Sequence, residues 1–155
     1  DYDGDGYDDL AIGCWGYNLG GGYYAFAAGA VLVVYGSSSG LDDSELWSED
    51  SPGIAGFAKG NDDFARQLTS GDYNGDGYDD LAIGTDDSFG YHETSWGSVY
   101  VLPGSTGGLT STGSLMLMQD VGGVVRLQRR DGVTAVIRVL VSAVAVSLVD
   151  ERLKF

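Results

Sequence analysis

Thirteen residues occur twice in this chain with a single change. Asp1 to Gly13 reads DYDGDGYDDLAIG and Asp72 to Gly84 reads DYNGDGYDDLAIG, so twelve of thirteen positions are identical at a spacing of 71 residues. A second pair follows each copy. Gly29 to Leu41 is GAVLVVYGSSSGL and Gly97 to Leu109 is GSVYVLPGSTGGL, at a spacing of 68, because the intervening segment is three residues shorter in the second copy. Length changes confined to loops mark a repeated structural unit. The chain therefore divides into a first unit over residues 1–60, a second over 61–120, and a tail over 121–155 of different composition.

Each unit reads as strands. Leu10-Ala11-Ile12 and Leu81-Ala82-Ile83 are short apolar runs bounded by Gly. Val31 to Tyr35 and Val99 to Leu102 are β-branched and aromatic runs that end in Gly-Ser turns. Residues 61–68 lead through Thr69-Ser70-Gly71 into the second acidic loop and predict a further strand, whereas helix signals are weak before residue 120. Four strands in about 70 residues is the content of one propeller blade, and blades close radially in sets of about four to eight. The expected fold is all-β, built of four-stranded antiparallel propeller blades. Two units in 155 residues fall short of a ring, so we expect an incomplete propeller that draws its further blades from elsewhere in a longer chain or from other copies.

The acidic loop carries the chemistry. Asp72, Asn74, Asp76 and Asp80 place oxygen side chains at loop positions 1, 3, 5 and 9, and Gly77 at position 6 lets Tyr78 turn its backbone carbonyl inward. Ca²⁺ takes six to eight oxygens at about 2.3–2.6 Å, and this spacing wraps them around one point. The first copy offers Asp1, Asp3, Asp5, the carbonyl of Tyr7, and Asp9. About two Ca²⁺ sites are expected, each ordering a loop whose carboxylates repel one another without the cation. An EF-hand is excluded, because position 12 is Ile12 or Ile83 inside an apolar run where that motif needs Glu.

These residues resemble the FG-GAP repeats of integrin alpha-subunit propellers and of bacterial surface proteins. The pattern is carried by Asp62-Asp63-Phe64-Ala65, the loop from Asp72 to Asp80, Leu81-Ala82-Ile83-Gly84, and Gly97-Ser98-Val99-Tyr100-Val101. Ala65 stands where the family has Gly, and Cys14-Trp15 and Thr85-Asp86 stand where it has Ala-Pro. The first unit also lacks its leading strand. The resemblance implies a β-propeller whose blades are braced by Ca²⁺ loops.

Composition narrows the function. The formal charge is −15, and it is unevenly spread: residues 1–120 carry 20 acidic and 2 basic side chains (2 − 20 = −18), residues 121–155 carry 3 and 6 (6 − 3 = +3). Such acidity excludes nucleic acid and anionic membranes as partners, since both need a basic footprint. Cys14 is the only thiol, which rules out an internal disulfide and a Cys-based zinc site. The chain opens at Asp1 with no basic and apolar leader, the pattern of a processed or partial N-terminus. His92 is the only His and sits in a polar loop, with no nucleophile in a recognisable context, so a non-catalytic protein is expected. Trp15, Trp47 and Trp96 read as wedges between blades, with a sugar-stacking face as the alternative.

The tail replaces an expected third unit. Val133 to Val149 is apolar, but its 17 residues are at the lower limit for a span and Arg138 lies near its centre, which weighs against a membrane segment. A shifted reading frame after Val124 is another reading of the break. The function expected from the sequence is a calcium-binding propeller segment of an extracellular or cell-surface protein, used for adhesion or for binding a protein or glycan ligand. The alternatives are an accessory repeat region of a secreted hydrolase, lyase or phospholipase, and a purely structural scaffold.

Overall fold

The computed structural model describes residues 1–20, 26–86, 97–120, 124–129 and 134–138. Among these residues the chain is all-β, with nine strands in two antiparallel sheets. The first sheet has the order β1-β2-β3, from β1 (Leu10–Cys14), β2 (Ala30–Val34) and β3 (Ser44–Trp47). The second runs β4-β5-β6-β7-β8-β9, from β4 (Gln67–Gly71), β5 (Asp80–Thr85), β6 (Ser98–Leu102), β7 (Leu115–Asp120), β8 (Val124–Arg129) and β9 (Thr134–Arg138). Strands β4 to β7 form the four-stranded blade expected for the second unit. The first sheet matches it without the leading strand.

The register shows the repeat in three dimensions. Ile12 lies opposite Leu32, and Leu32 opposite Leu46. In the second sheet Ile83 lies opposite Tyr100, and Tyr100 opposite Met116. Alternate residues point to opposite faces, so each sheet has two apolar faces. One face of the first sheet packs on one face of the second, and the core lies between them. Val31, Val33, Phe64, Leu81, Ile83, Tyr100 and Leu102 are its most deeply buried members, with Trp47 packed at its margin. Each such aliphatic side chain contributes about 1.5–3 kcal/mol on burial. The Phe64 and Tyr100 rings meet edge to face with centroids 5.4 Å apart.

Close approach of the units demands small residues. Gly29 bridges to Phe64 with a φ of 89°, and a Cβ there would enter the Phe64 backbone. Gly13 sits against the Ala65 carbonyl in the same way. Ala65 itself adopts φ 68°, a left-handed conformation that costs a non-Gly residue about 1–2 kcal/mol. The glycine that the repeat pattern prefers here has a physical reason, and this chain departs from it at that cost.

Strands β8 and β9 continue the second sheet into the tail, so its first part is β rather than helical. No helix among the described residues is long and apolar enough to cross a membrane. Residues 133 and 139–149 of the apolar run, and also His92 and Trp96, lie outside the described residues.

Candidate functional site

Both acidic loops are closed by the same device. Asp9 accepts the N–H of Tyr2 at its own loop start (2.6 Å) and, through its other oxygen, the N–H of Gly36 in the turn after β2 (2.7 Å). Asp80 does the same with Tyr73 and Gly104, each at 3.0 Å. Position 9 is thus a clamp that ties the loop to the Gly-Ser turn of its own blade. The turn must bring its backbone to the carboxylate, which explains its glycine. A Cβ on Gly36 would enter the Asp8 carbonyl, and one on Gly104 would enter the Asp79 carbonyl and stand 2.8 Å from the Tyr2 carbonyl. The two repeated motifs, acidic loop and Gly-Ser turn, are one structural unit.

The remaining loop oxygens accept backbone N–H groups along the turn. Asp1 accepts from Gly6, Asp3 from Asp5, and Asp5 from Tyr7. In the second copy Asp72 accepts from Gly75, Asp76 and Gly77, Asn74 from Asp76, and Asp76 from Tyr78. These bonds turn the side chains at positions 1, 3 and 5 into the loop. Gly4, Gly6, Gly75 and Gly77 take positive φ at equivalent positions in the two loops.

The copies part at position 3. In the first loop, oxygens of Asp1, Asp3 and Asp9 come within 4.8 Å of one another. Asp1 Oδ1 is buried there and has no hydrogen-bond partner. This is a donor set of hard anionic oxygens, and a divalent cation fits it. In the second loop the Asn74 amide donates to Asp76 Oδ2 at 2.9 Å and to Asp80 Oδ1 at 3.5 Å. The amide occupies, within the loop, the place of a positive partner. Of the residues expected to bind metal, Asp1, Asp3 and Asp9 are brought together. Asp5 and Tyr7 lie on the exposed rim of the same turn. Asp72, Asn74, Asp76, Tyr78 and Asp80 form the second, internally bonded loop.

The loops touch. The Asp79 N–H donates to the Asp1 carbonyl, the Ser105 N–H to the Tyr2 carbonyl, and the Tyr78 ring lies over Gly4. Tyr2 is consequently buried, and burial raises its phenol above the usual tyrosine range. A second tie runs through Tyr35, whose hydroxyl donates to Glu45 and accepts the Leu109 N–H. Burial, then the Glu45 hydrogen bond, pushes the Tyr35 phenol well up. Tyr100 donates to Glu49 at 2.5 Å across 51 residues of chain. Neither tie was legible in the sequence, because no local pattern pairs Tyr35 with Glu45 or Tyr100 with Glu49.

A cavity of about 530 Å³ lies on the outer side of the second sheet, lined by Arg66, Thr85, Asp86, Ser98, Val99 and Leu117 among others. Arg66 there is held by Asp63 at 2.8 Å and Asp86 at 3.2 Å.

Residues 64–102 match the FG-GAP repeat. The match runs from Phe64 through β4, the second acidic loop and β5 to the end of β6, and so contains the whole acidic loop, with the clamp's turn partner Gly104 two residues beyond it. Over longer stretches the chain is similar to phosphatidylinositol-glycan-specific phospholipase D. It is 34% identical to the Rattus norvegicus protein over 113 residues, which is 72% of this chain and 13% of that protein. With the Homo sapiens protein it shares 34% over 125 residues, 78% of this chain and 14% of that protein. With the Bos taurus protein it shares 33% over 113 residues. The chain thus spans a small part, 13–14%, of the length of these relatives.

Proposed function

We propose that the chain is a calcium-braced, non-catalytic propeller repeat region of an extracellular protein, whose exposed surface serves adhesion or the binding of a protein or glycan ligand. The reading rests on the first acidic loop, where Asp1, Asp3 and Asp9 converge and Asp1 Oδ1 is buried without a partner. Asp1, Asp3, Asp5, Asp9 and the Tyr7 carbonyl would hold one Ca²⁺, and Asp72, Asn74, Asp76, Asp80 and the Tyr78 carbonyl a second. The ion neutralises the carboxylates and fixes each loop against its Gly-Ser turn. Millimolar Ca²⁺ outside cells fills sites of modest affinity, which favours an extracellular location. Calorimetric Ca²⁺ titration with thermal melts in calcium and in chelator tests this. Two ions per chain and a calcium-dependent rise in Tm are expected, and a folded chain that ignores calcium would sink the reading.

The relatives favour one of the alternatives from the sequence over an integrin-like bacterial surface protein. All three named above are phosphatidylinositol-glycan-specific phospholipases D, so the second reading is an accessory repeat region of a phospholipase-type protein. On this reading the chain alone releases no product from a phosphatidylinositol-glycan-anchored protein, yet retains that protein on a column. Release by the chain alone, or no retention, would count against it.

A further inference from the structure

A trans peptide group carries its N–H and C=O on opposite sides, so a bond to one end fixes the direction of the other. Two such groups lie in series between the acidic loops. The Asp1–Tyr2 peptide donates its N–H to Asp9 Oδ2 at 2.6 Å, and its carbonyl accepts the Asp79 N–H at 3.1 Å. That N–H belongs to the Tyr78–Asp79 peptide, whose carbonyl is the backbone oxygen offered in the second loop. A continuous chain of hydrogen bonds therefore runs from a carboxylate of the first loop to a carbonyl of the second. A parallel branch joins the two clamps. The Tyr2 carbonyl accepts the Ser105 N–H at 3.0 Å, and the adjoining Gly104 N–H donates to Asp80 Oδ1 at 3.0 Å. The Tyr78 ring covers Gly4, where a Cβ would stand 2.5 Å from the ring.

We propose that the two loops bind calcium cooperatively, each ion raising the affinity of the other loop through this chain of bonds. The coupling rests on the calcium reading of both loops and goes beyond it. An ion in the first loop holds Asp1 and Asp9, hence the Asp1–Tyr2 peptide, and so sets the Tyr78–Asp79 peptide before the second ion arrives. Ordering one backbone residue in advance is worth about five- to thirtyfold in a binding constant. Two effects oppose it. A cation on Asp9 draws charge from the hydrogen-bond chain, but polarisation amounts to only about 10–30% of a bond. The ion also lowers the negative potential at the other loop. The first loop nevertheless stays anionic when filled, since the carboxylates of Asp1, Asp3, Asp5 and Asp9 and one divalent ion sum to −2. At physiological salt the remaining field is screened over about 8 Å. Ordering wins, with a net coupling of about fivefold that is equal in both directions, because linkage is reciprocal.

Calorimetric Ca²⁺ titration of the full chain at physiological salt, beside two single-loop variants, tests the coupling. Asp5→Ala silences the first loop and Asp76→Ala the second; both side chains are exposed and neither belongs to the chain of bonds. Each variant yields the association constant of its intact loop, and the product of the two parent constants should exceed the product of these by about fivefold. Should an alanine variant lose its circular dichroism, Asp5→Asn or Asp76→Asn weakens the same loop while keeping its shape. The intact loop is then titrated below the calcium concentration that fills the weakened one. Hydrogen exchange reads the path itself. In Asp76→Ala, calcium should slow exchange of the Asp79 and Ser105 amides, which lie outside the first loop, and in Asp5→Ala it should slow that of Tyr2. Two ions bound with a ratio at or below one, or amides across the contact that ignore calcium, would overturn the coupling and leave the calcium reading standing. A folded chain that binds fewer than two ions would overturn both.

Discussion

The two acidic loops share twelve of thirteen residues, yet they handle their charge differently. At position 3 the first has Asp3 and the second Asn74. Asn74 donates to Asp76 and Asp80, so the second loop contains its own counter-donor. Asp3 donates nothing, and Asp1, Asp3 and Asp9 converge with Asp1 Oδ1 buried and unpartnered. One side-chain amide separates a loop that is satisfied internally from one whose oxygens point at a common centre. The comparison also separates two jobs that a reading of ligand spacing merges. Position 9 clamps the loop to its blade in both copies, whatever position 3 does.

The clamp gives the largest expected effect. Asp80→Ala leaves the N–H groups of Tyr73 and Gly104 without their acceptor, and the Gly104 contact is buried. At about 1–3 kcal/mol per stranded group, a loss of about 3 kcal/mol is expected by urea unfolding in chelator. Asp9→Ala should cost less, because Asp9 is only half-buried. An effect seen only in calcium would mean that position 9 acts purely as a ligand, and the comparison would break there.

Next come the turn glycines. Gly104→Ala places a methyl against the carbonyls of both Asp79 and Tyr2, so it disturbs the clamp and the contact between the loops together. Gly36→Ala meets only its own unit, at Asp8 and Tyr7. Overpacking of this kind costs about 1–3 kcal/mol, and Gly104→Ala should fall at the upper end and Gly36→Ala below it. Equal losses would show that the loops do not support each other. Thermal melts of the two variants side by side are sufficient.

The exchange at position 3 sharpens the comparison directly. Asp3→Asn should raise Tm in chelator, by an amount equivalent to about 0.5–1 kcal/mol, and weaken calcium binding about tenfold as a charged ligand is lost. Asn74→Asp should do the reverse. It removes two donors and adds a charge, so it lowers stability in chelator and recovers it in calcium. Calorimetry and melts on both variants check the four signs; two variants that move in the same direction would refute the assignment of position 3.

Much of this was legible before the structure. The duplicated loop, the apolar runs of β1, β2, β5 and β6, and the approach through residues 61–68 to β4 follow from periodicity and turn chemistry. The loop positions that carry oxygens were legible too. The clamp was half-visible. The spacing from Asp9 to Gly36 and from Asp80 to Gly104 shrinks by the same three residues that separate the two repeat offsets, but no local rule says that a carboxylate and a distant turn must meet. Tyr35–Glu45 and Tyr100–Glu49 are tertiary, and nothing near Glu49 in sequence marks it as buried. The left-handed backbone at Ala65 is likewise imposed by the packing of Phe64 under Gly29, whereas Asn61 and Asp63 are residue types that accept that conformation.

The smallest effect expected is that of salt, and it isolates electrostatics from hydrogen bonding. Without calcium, the first loop holds Asp1, Asp3, Asp5 and Asp9 in one turn with no amide among them, whereas the second holds three carboxylates and the Asn74 amide. Raising NaCl from about 0.05 to 0.5 M shortens the Debye length from over 10 Å to roughly 4 Å, which weakens repulsion between exposed carboxylates. In chelator the parent chain should gain a few tenths of a kcal/mol, read as a shift in urea midpoint at constant slope. The Asp3→Asn variant should gain less, since the screened repulsion is already reduced, and Asn74→Asp should gain more. Asp80→Ala removes both the clamp and one loop carboxylate, so it should lower the whole curve and trim the salt response only by the part that Asp80 carries. If Asp3→Asn gained as much as the parent, the repulsion would lie elsewhere on this acidic surface, and the difference between the loops would rest on the amide's hydrogen bonds alone.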